Sequence, residues 1–294
     1  MKIFDCTTFF DENLMLEIRF NILNKHVDKF VIAEAKYSHS GEKKKLNFNY
    51  NKFSEFKKKI IYLVIENEPS DLIYEKGENQ KEEPKYFRQN AIKRIAYQRD
   101  YISSILNQFS EEDYIIHSDN DEIPNLENFD LKKNKNKIII FQQFLFYYKF
   151  NLGLPNIKWF GSKACKIKDL LSISNLREIK NKKYNFFRID TFFSKLKHIN
   201  LKIINNGGWH FSNFKNVDEL ERKFLNDENH SEFKKNINFK DDIIFNYNNR
   251  LINYNHNADK KSENRFNKTK LETLDNKTLP KYVIENQNKY LDWF

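Results

Sequence analysis

The stretch Tyr114–Pro124, Tyr-Ile-Ile-His-Ser-Asp-Asn-Asp-Glu-Ile-Pro, decides how the rest of the chain is interpreted. Its apolar start predicts a short buried strand, and three acids, Asp119, Asp121 and Glu122, follow directly. Carboxylates this close raise one another's pKa and cost stability unless a cation neutralises them. Mg²⁺ and Mn²⁺ prefer oxygen ligands and commonly lie between carboxylates and phosphates. The stretch therefore predicts a metal–diphosphate site at Asp119 and Asp121, with an Asx-rich turn as the alternative.

The residues upstream of this stretch predict parallel strands. Lys2–Cys6 and Lys29–Ala35 have the composition of buried strands, and Asp11–Asn24 between them has helical spacing. A third strand is predicted over Ile60–Glu66. A strand–helix–strand order predicts parallel pairing through a right-handed crossover, which is typical of α/β proteins. Ligands of such sheets bind beyond the carboxyl ends of the strands.

Three further polar residues are candidates for the same site. Glu34 interrupts the second strand near its C-terminal end, and the alternative is an edge carboxylate with a structural hydrogen bond. Arg88 lies near the start of a helix predicted over Tyr86–Gln108, where it could reach a phosphate, support Asp119 or form a surface salt bridge. His210 follows two glycines and a tryptophan and is either structural or a third metal ligand.

Composition indicates a globular protein of 294 residues with a substantial core, since 39% of the residues are hydrophobic. We expect one domain over residues 1–294, in which residues 256–294 form a C-terminal extension that packs back on the body. The net charge of +10 suits nucleic acid, an anionic membrane surface or phosphorylated substrates. However, the basic residues are scattered among 41 acids without an arginine-rich stripe. We expect no nucleic-acid partner, and peripheral membrane association stays open.

The two cysteines, Cys6 and Cys165, are far apart and lack metal-ligand spacing. This excludes a zinc site and a disulfide framework, and it favours a reducing compartment. No signal-peptide segment and no run of about 18 apolar residues is present. We expect a cytoplasmic protein, with the inner face of the membrane as a further option.

Five stretches together resemble glycosyltransferase family 17, and in their order and spacing they cover nearly the whole chain. They are Phe30–Gly41, Tyr86–Arg88, Asp119–Pro124 (Asp-Asn-Asp-Glu-Ile-Pro), Gly208–Ser212 (Gly-Trp-His-Phe-Ser) and Pro280–Tyr282. The resemblance implies an α/β fold of the GT-A type, with a mixed, mostly parallel central sheet flanked by helices. It also implies inverting transfer of a sugar from a UDP-sugar, UDP-N-acetylglucosamine above all, to a hydroxyl of a glycan acceptor. The chain lacks the membrane anchor and the cysteines of the eukaryotic members, so a bacterial or viral surface glycan is the expected acceptor.

The resemblance also implies roles for individual residues. Mn²⁺ or Mg²⁺ is expected on Asp121 with Asp119 and His210, and Arg88, Glu34 and Asp119 are expected beside the donor. The general base is expected to be Glu122 or Asp218, between which the sequence does not choose.

Two other functions stay open at this stage. A nucleotidyltransferase would also use acids and a metal, but its glycine-rich nucleotide loop is missing from Asp5–Glu12. A non-catalytic basic protein that binds glycans or nucleic acid would bind without a metal and with a steep salt dependence. The sequence does not determine the acceptor, the linkage or the oligomeric state.

Overall fold

The computed structural model describes residues 1–73, 83–252 and 268–294 of the chain. The strands are β1 (Ile3–Phe9), β2 (Lys29–Ala35), β3 (Ile60–Ile65), β4 (Tyr114–Ser118), β5 (Glu122–Pro124), β6 (Ile138–Tyr147), β7 (Lys149–Gly153), β8 (Trp159–Lys166), β9 (Leu201–Ile204), β10 (Gly208–Ser212) and β11 (Glu272–Thr273). The α-helices are α1 (Asn13–Leu23), α2 (Glu83–Tyr101), α3 (Ile173–Glu178), α4 (Val217–Asn226), α5 (His230–Phe233), α6 (Phe239–Asn248) and α7 (Lys281–Glu285). Segments of 3-10 helix cover Tyr50–Lys59, Ile102–Gln108, Leu131–Lys133, Ile167–Asp169, Ile189–Thr191, Asn276–Thr278 and Gln287–Trp293.

Within the described residues the strands form one mixed sheet in the order β11-β7-β6-β8-β4-β1-β2-β3. β1 pairs in parallel with both β2 and β4, and β2 pairs in parallel with β3. β8 is antiparallel to its neighbours β4 and β6, so β6 runs in the direction of β4. β9 and β10 pair in parallel with β6. The prediction of an α/β fold with a mixed, mostly parallel central sheet flanked by helices is confirmed.

The strand–helix–strand unit predicted near the N-terminus is also confirmed, with α1 connecting the parallel strands β1 and β2. Both faces of β2 are buried, because Phe30 and Ile32 pack with α1 whereas Val31 and Ala33 pack against the opposite layer. That opposite layer includes Ile102, which follows α2. Parallel strands covered on both faces read as continuous apolar runs, and this is why the segment was recognisable in the sequence.

The C-terminal residues 268–294 pack on the body of the molecule. Val283 and Tyr290 belong to the apolar cluster that contains residues of α1, β6 and β10. The Tyr290 hydroxyl donates to Glu17 Oε1 at 2.6 Å. The helix predicted at this end is divided into α7 and a 3-10 segment, because Asn286 between them is not helical. The first part of the predicted extension, residues 256–267, lies outside the described residues.

Strand β10 lies very close to β5. Gly208 of β10 has a φ of +144°, and a Cβ atom added there would lie 2.2 Å from the carbonyl oxygen of Ile123. Only glycine fits this close approach. The pairing of the two strands places His210 opposite Glu122 and thereby brings two distant parts of the chain together. In the part of the chain described here, no helix is long and apolar enough to cross a lipid bilayer.

Candidate active site at the end of strand β4

The acidic motif lies where β4 ends at the carboxyl edge of the parallel strands. Asp119, Asn120 and Asp121 form a tight loop between β4 and β5. The backbone N–H of Glu122 donates to the Asp119 carbonyl at 3.0 Å, and the N–H of Asp119 donates to Glu122 Oε2 at 3.0 Å. The loop is therefore fixed by its own hydrogen bonds at the edge where ligands of such sheets bind.

A buried arginine supports this loop from below. Arg19 of α1 forms a bidentate ion pair with Asp5 of β1, and both distances are 2.6 Å. Its Nη1 donates to the carbonyl oxygen of Glu122, also at 2.6 Å. The sequence gave no signal for this role, because Arg19 lies in an apolar helix and resembles a solvated residue there. Buried charges are tolerated only when they are paired and hydrogen-bonded, and Arg19 meets both conditions.

Two arginines hold Asp119. Arg99 Nη2 lies 2.8 Å from Oδ1, and Arg177 Nη2 lies 2.8 Å from Oδ2. Burial by itself raises the pKa of Asp119, but the two guanidinium groups outweigh it and hold the pKa well below its usual range. Both carboxylate oxygens of Asp119 are thus engaged. Arginines supply part of the neutralisation that the sequence attributed to a metal ion.

The predicted role of Arg88 beside Asp119 is wrong. Arg88 Nη2 contacts Glu228 Oε1 at 3.4 Å instead. Arg99 lies eleven residues further along α2, which is about three turns or roughly 16 Å along the helix axis. The same face of the helix therefore presents Arg99 to the acidic motif and Arg88 to a different segment.

Glu122 is saturated with hydrogen-bond donors, which corrects the prediction that it acts as the general base. Arg177 donates to both of its oxygens at 2.7 and 2.8 Å. The Trp159 indole N–H donates to Oε1 at 2.8 Å, and the Asp119 N–H donates to Oε2. The residue is fully buried. A base must accept a proton from substrate, whereas this carboxylate fastens the loop to α3 and β8.

Asp121 faces His210 across the gap between the motif and β10. His210 Nε2 lies 3.3 Å from Asp121 Oδ2, and the His210 ring packs on Trp159 with the ring centroids 4.2 Å apart. Burial by itself raises the pKa of Asp121, but His210 outweighs it, and the net pKa is lowered. Within the described ranges, Oδ1 of Asp121 forms no hydrogen bond and Nδ1 of His210 is buried without a partner. Asp121 thus keeps an oxygen available.

The predicted metal ligands do not form a three-residue set. Among the described residues, no group of three or more His, Cys, Asp or Glu side chains is placed to hold a metal ion. Asp119 could become a ligand only by releasing an arginine. Asp121 fits an ion such as Mg²⁺ that is bound through one or two carboxylates and the phosphates of a substrate. The residues present therefore fit a metal held by Asp121 together with a ligand, not a preformed protein cage.

Two cavities meet at the acidic motif. The first has a volume of about 270 Å³ and the second of about 430 Å³. Both are lined by the same five residues, Asp119, Asp121, Lys223, Asp227 and Glu228. The arrangement can hold two ligands that touch one another at the carboxylates.

The first cavity offers polar groups that await a partner. Its lining includes Tyr37 and Asn120, both largely buried. The Tyr37 hydroxyl and Asn120 Oδ1 form no hydrogen bond within the structure as described. Lys44 also lines this cavity. Buried polar atoms without partners cost stability, so their presence here indicates a bound polar molecule.

The second cavity is more aromatic. Trp159, Tyr147, Phe224 and Phe233 line it together with His210. The aromatic run after β6 was predicted to serve as core or as a platform for sugar rings. Tyr147 of that run reaches the second cavity, whereas Phe146 and Phe150 are buried in the main apolar cluster.

The remaining two predicted site residues lie elsewhere. Glu34 is fully buried and bonded to Lys44, to the Tyr62 hydroxyl at 2.8 Å and to the backbone N–H groups of Asn47 and Phe48. This carboxylate anchors the segment after β2 and lines neither cavity, which corrects its predicted role at the nucleotide. Asp218 also lines neither cavity. Its side chain is 81% exposed and pairs with Lys240 on α6, so the prediction of a catalytic base fails there too.

Asp227 and Glu228 are the site residues that the sequence did not reveal. They follow the last residue of α4 and line both cavities. Burial by itself raises the pKa of Asp227, but His39 and Lys223 outweigh it and the net pKa is lowered. The signal in the sequence was only a pair of acids just after a predicted helix, which is a common surface pattern.

Comparisons with known proteins place the chain in a family. The model of glycosyltransferase family 17 matches residues 1–292. No curated protein matches the chain. Among solved structures, the chain is similar to a Bacillus anthracis protein described as a glucose-1-phosphate thymidylyltransferase in complex with sucrose, at 12% identity and a TM-score of 0.36. That likeness covers 71% of this chain and 88% of the other, and at this TM-score it carries no argument. Because the family match spans nearly the whole sequence, the chain belongs to glycosyltransferase family 17 and is a glycosyltransferase.

Proposed function

We propose that the enzyme transfers N-acetylglucosamine from UDP-N-acetylglucosamine to a hydroxyl of a glycan acceptor, with inversion and with the help of Mn²⁺ or Mg²⁺. We also propose that its fold is of the GT-A type. The parallel strands β3-β2-β1-β4, the antiparallel β8 beside them and the acidic motif at the end of β4 support this assignment. The observation that carries the function is the meeting of two cavities at Asp121.

The charges at this meeting point favour a bound cation. Asp119 is neutralised by Arg99 and Arg177, but Asp121, Asp227 and Glu228 also face the cavities. A diphosphate brought next to these carboxylates would be repelled, since like charges at short range in a partly buried site cost several kcal/mol. A divalent ion between Asp121 and the diphosphate removes this conflict and stabilises the charge of the leaving nucleotide.

The first cavity is the proposed donor site. Lys44 and Lys223 supply positive charge for the phosphates, and the buried Tyr37 hydroxyl and Asn120 Oδ1 offer hydrogen bonds to the nucleoside or the sugar. The second cavity is the proposed acceptor site, in which the Trp159 ring presents an apolar face to a sugar. Trp159 is fixed there by its hydrogen bond to Glu122.

Asp227 is the proposed general base. It lines both cavities and its lowered pKa keeps it ionised at neutral pH. One oxygen accepts the N–H of Glu228 at 2.7 Å. The ionised carboxylate takes the proton of the acceptor hydroxyl while that oxygen bonds to the anomeric carbon. The bond from the anomeric carbon to the diphosphate breaks on the opposite face and leaves its electron pair on UDP.

A thermal-shift panel of UDP-sugars with and without Mn²⁺ tests the proposal. A ligand at a hundredfold excess over its Kd stabilises the folded state by about 2.7 kcal/mol. We expect a shift for UDP-N-acetylglucosamine that requires Mn²⁺ and disappears in Asp121→Asn. Asp218→Asn is the matched control, because the same substitution falls on an exposed acid outside both cavities.

Each component can fail separately. An equal shift without Mn²⁺ overturns the metal, and a larger shift with another UDP-sugar overturns the choice of donor. The NMR coupling constant of the new anomeric proton in the product tests inversion. Binding of a glycan without any nucleotide effect would favour the non-catalytic alternative.

A further inference from the structure

A loop between α3 and β9 exposes an unusual concentration of apolar side chains. Five apolar residues within eight positions have relative exposures between 64% and 87%, namely Phe186, Phe187, Ile189, Phe192 and Phe193. Soluble surfaces normally scatter such residues singly, and contiguous exposed patches mark sites of interaction. Residues 181–195 are called the aromatic loop below.

The aromatic loop has a defined base and a defined tip. At the base, the N–H of Lys180 donates to the Leu196 carbonyl at 2.8 Å. At the tip, the Thr191 hydroxyl donates to the Arg188 carbonyl at 2.6 Å within a 3-10 turn. Asp190 is held by Arg188 and by Lys197, at 2.8 and 2.7 Å. The phenylalanines on both sides of this turn are therefore presented outward on an ordered backbone.

The loop is also basic. Residues 180–198 contain six lysines and arginines and one acid, Asp190, which the ion pairs above already neutralise. Lys182, Lys183 and Lys195 form no ion pair in the described part of the chain. Aromatic side chains next to unpaired lysines are the combination that binds the interface of an anionic bilayer, where rings enter the headgroup region and cations meet lipid phosphates.

We propose that the aromatic loop docks the enzyme on an anionic lipid bilayer. Two observations favour a membrane over a protein partner. The excess of positive charge around the tip complements anionic headgroups. In addition, the rings project from the surface, Phe193 with 87% of its area exposed, and the loop lines neither of the two cavities. A projecting tip suits insertion into a deformable phase.

The loop is connected directly to the candidate active site. Arg177, which binds Asp119 and Glu122, lies three residues before Lys180 at the base of the loop. Lys163 fixes this connection by donating to the Arg177 and Ile179 carbonyls, at 2.6 and 2.5 Å. Docking through the loop is independent of the donor, so it stands or falls separately from the proposed reaction.

Flotation of the full chain with vesicles tests the proposal. We expect binding to vesicles of phosphatidylcholine mixed with phosphatidylglycerol, weaker binding to phosphatidylcholine alone and a loss of binding as salt rises. Phe192→Ser combined with Phe193→Ser removes two buried rings and lowers the partition coefficient by roughly a hundredfold. Ile189→Ser and Ile237→Ser are a matched pair, since both residues are highly exposed but only Ile189 lies in the loop.

The expected pattern is a weakened Ile189→Ser variant and an unchanged Ile237→Ser variant, with the thermal midpoint of each close to that of the wild type. The single pair decides the question if the double variant does not fold. Equal binding by all variants, or no binding to anionic vesicles, overturns the proposal. A wild-type dimer that the loop substitutions dissociate, without vesicle binding, would assign the loop to contact between two copies instead. Asp121→Asn is expected to bind vesicles normally, which separates docking from the reaction.

Discussion

Arg177 grips Glu122 with both terminal nitrogens of its guanidinium group, Nη1 to Oε2 at 2.8 Å and Nη2 to Oε1 at 2.7 Å. Nη2 also reaches Asp119 Oδ2 at 2.8 Å. A short helix more than fifty residues further along the chain is thus fastened to the acidic motif. Charges on Asp119 and Glu122 demand neutralisation, and this arginine supplies it without any bound ion.

Loss of Arg177 should therefore be costly. Arg177→Met leaves Glu122 as a buried charge without its partner, and removing one member of a buried ion pair typically costs about 3–5 kcal/mol. Urea unfolding monitored by circular dichroism gives the change in free energy. Adding Glu122→Gln to Arg177→Met should restore part of the loss, because no buried charge then remains. A double variant that is less stable than Arg177→Met would contradict this account.

The two aspartates of the motif should respond differently to the same substitution. Asp119→Asn weakens two charge-assisted contacts with Arg99 and Arg177, so we expect a stability loss of about 1.5–3 kcal/mol. Asp121→Asn should change stability little and should abolish the Mn²⁺-dependent donor shift. Thermal unfolding with and without donor separates the two effects. Equal stability losses for both variants would mean that Asp121 is as structural as Asp119.

Asp227 should carry the proton transfer. Asp227→Asn is expected to lower kcat by about 10²–10⁴-fold, the usual contribution of a general base, while the donor-induced thermal shift persists. Glu228→Gln is the control, because Glu228 also lines both cavities but contacts Arg88. The base works ionised and its pKa is lowered, so activity should be lost only as the pH falls through that low value. A rate that rises between pH 6 and 8 in step with one ionisation would point to a different base.

Lys163 should make stability depend on pH. It is nearly fully buried, and burial lowers its pKa to about 7 against an ordinary value near 10.4. Between these values the unfolded chain binds a proton that the folded chain has released. The free energy of unfolding therefore rises with pH in this window, by up to about 1.4 kcal/mol per pH unit, and not below pH 7. Urea titrations at pH 7, 8 and 9 should show this slope in the wild type but not in Lys163→Met, and parallel curves would show that Lys163 stays charged.

Several features of the protein could be predicted from local sequence. The apolar runs of β1, β2 and β4 and the helical spacing between the first two specified parallel strands, because buried parallel strands and amphipathic helices leave patterns a few residues long. The acidic motif after β4 located the site for the same reason. The five family stretches, with their spacing, gave the family that the match over residues 1–292 later showed.

Tertiary structure alone decided what each polar residue does. Glu34 and Glu122 resemble functional carboxylates in the sequence, yet both are saturated by donors from distant segments. Arg99 and Arg177, and not Arg88, reach Asp119, and Asp227 reaches the cavities where Asp218 does not. The physical reason is range. Hydrophobic patterning is set by neighbours in sequence, whereas the role of a charge is set by the few ångströms to its partner in space, and that partner lies anywhere along the chain.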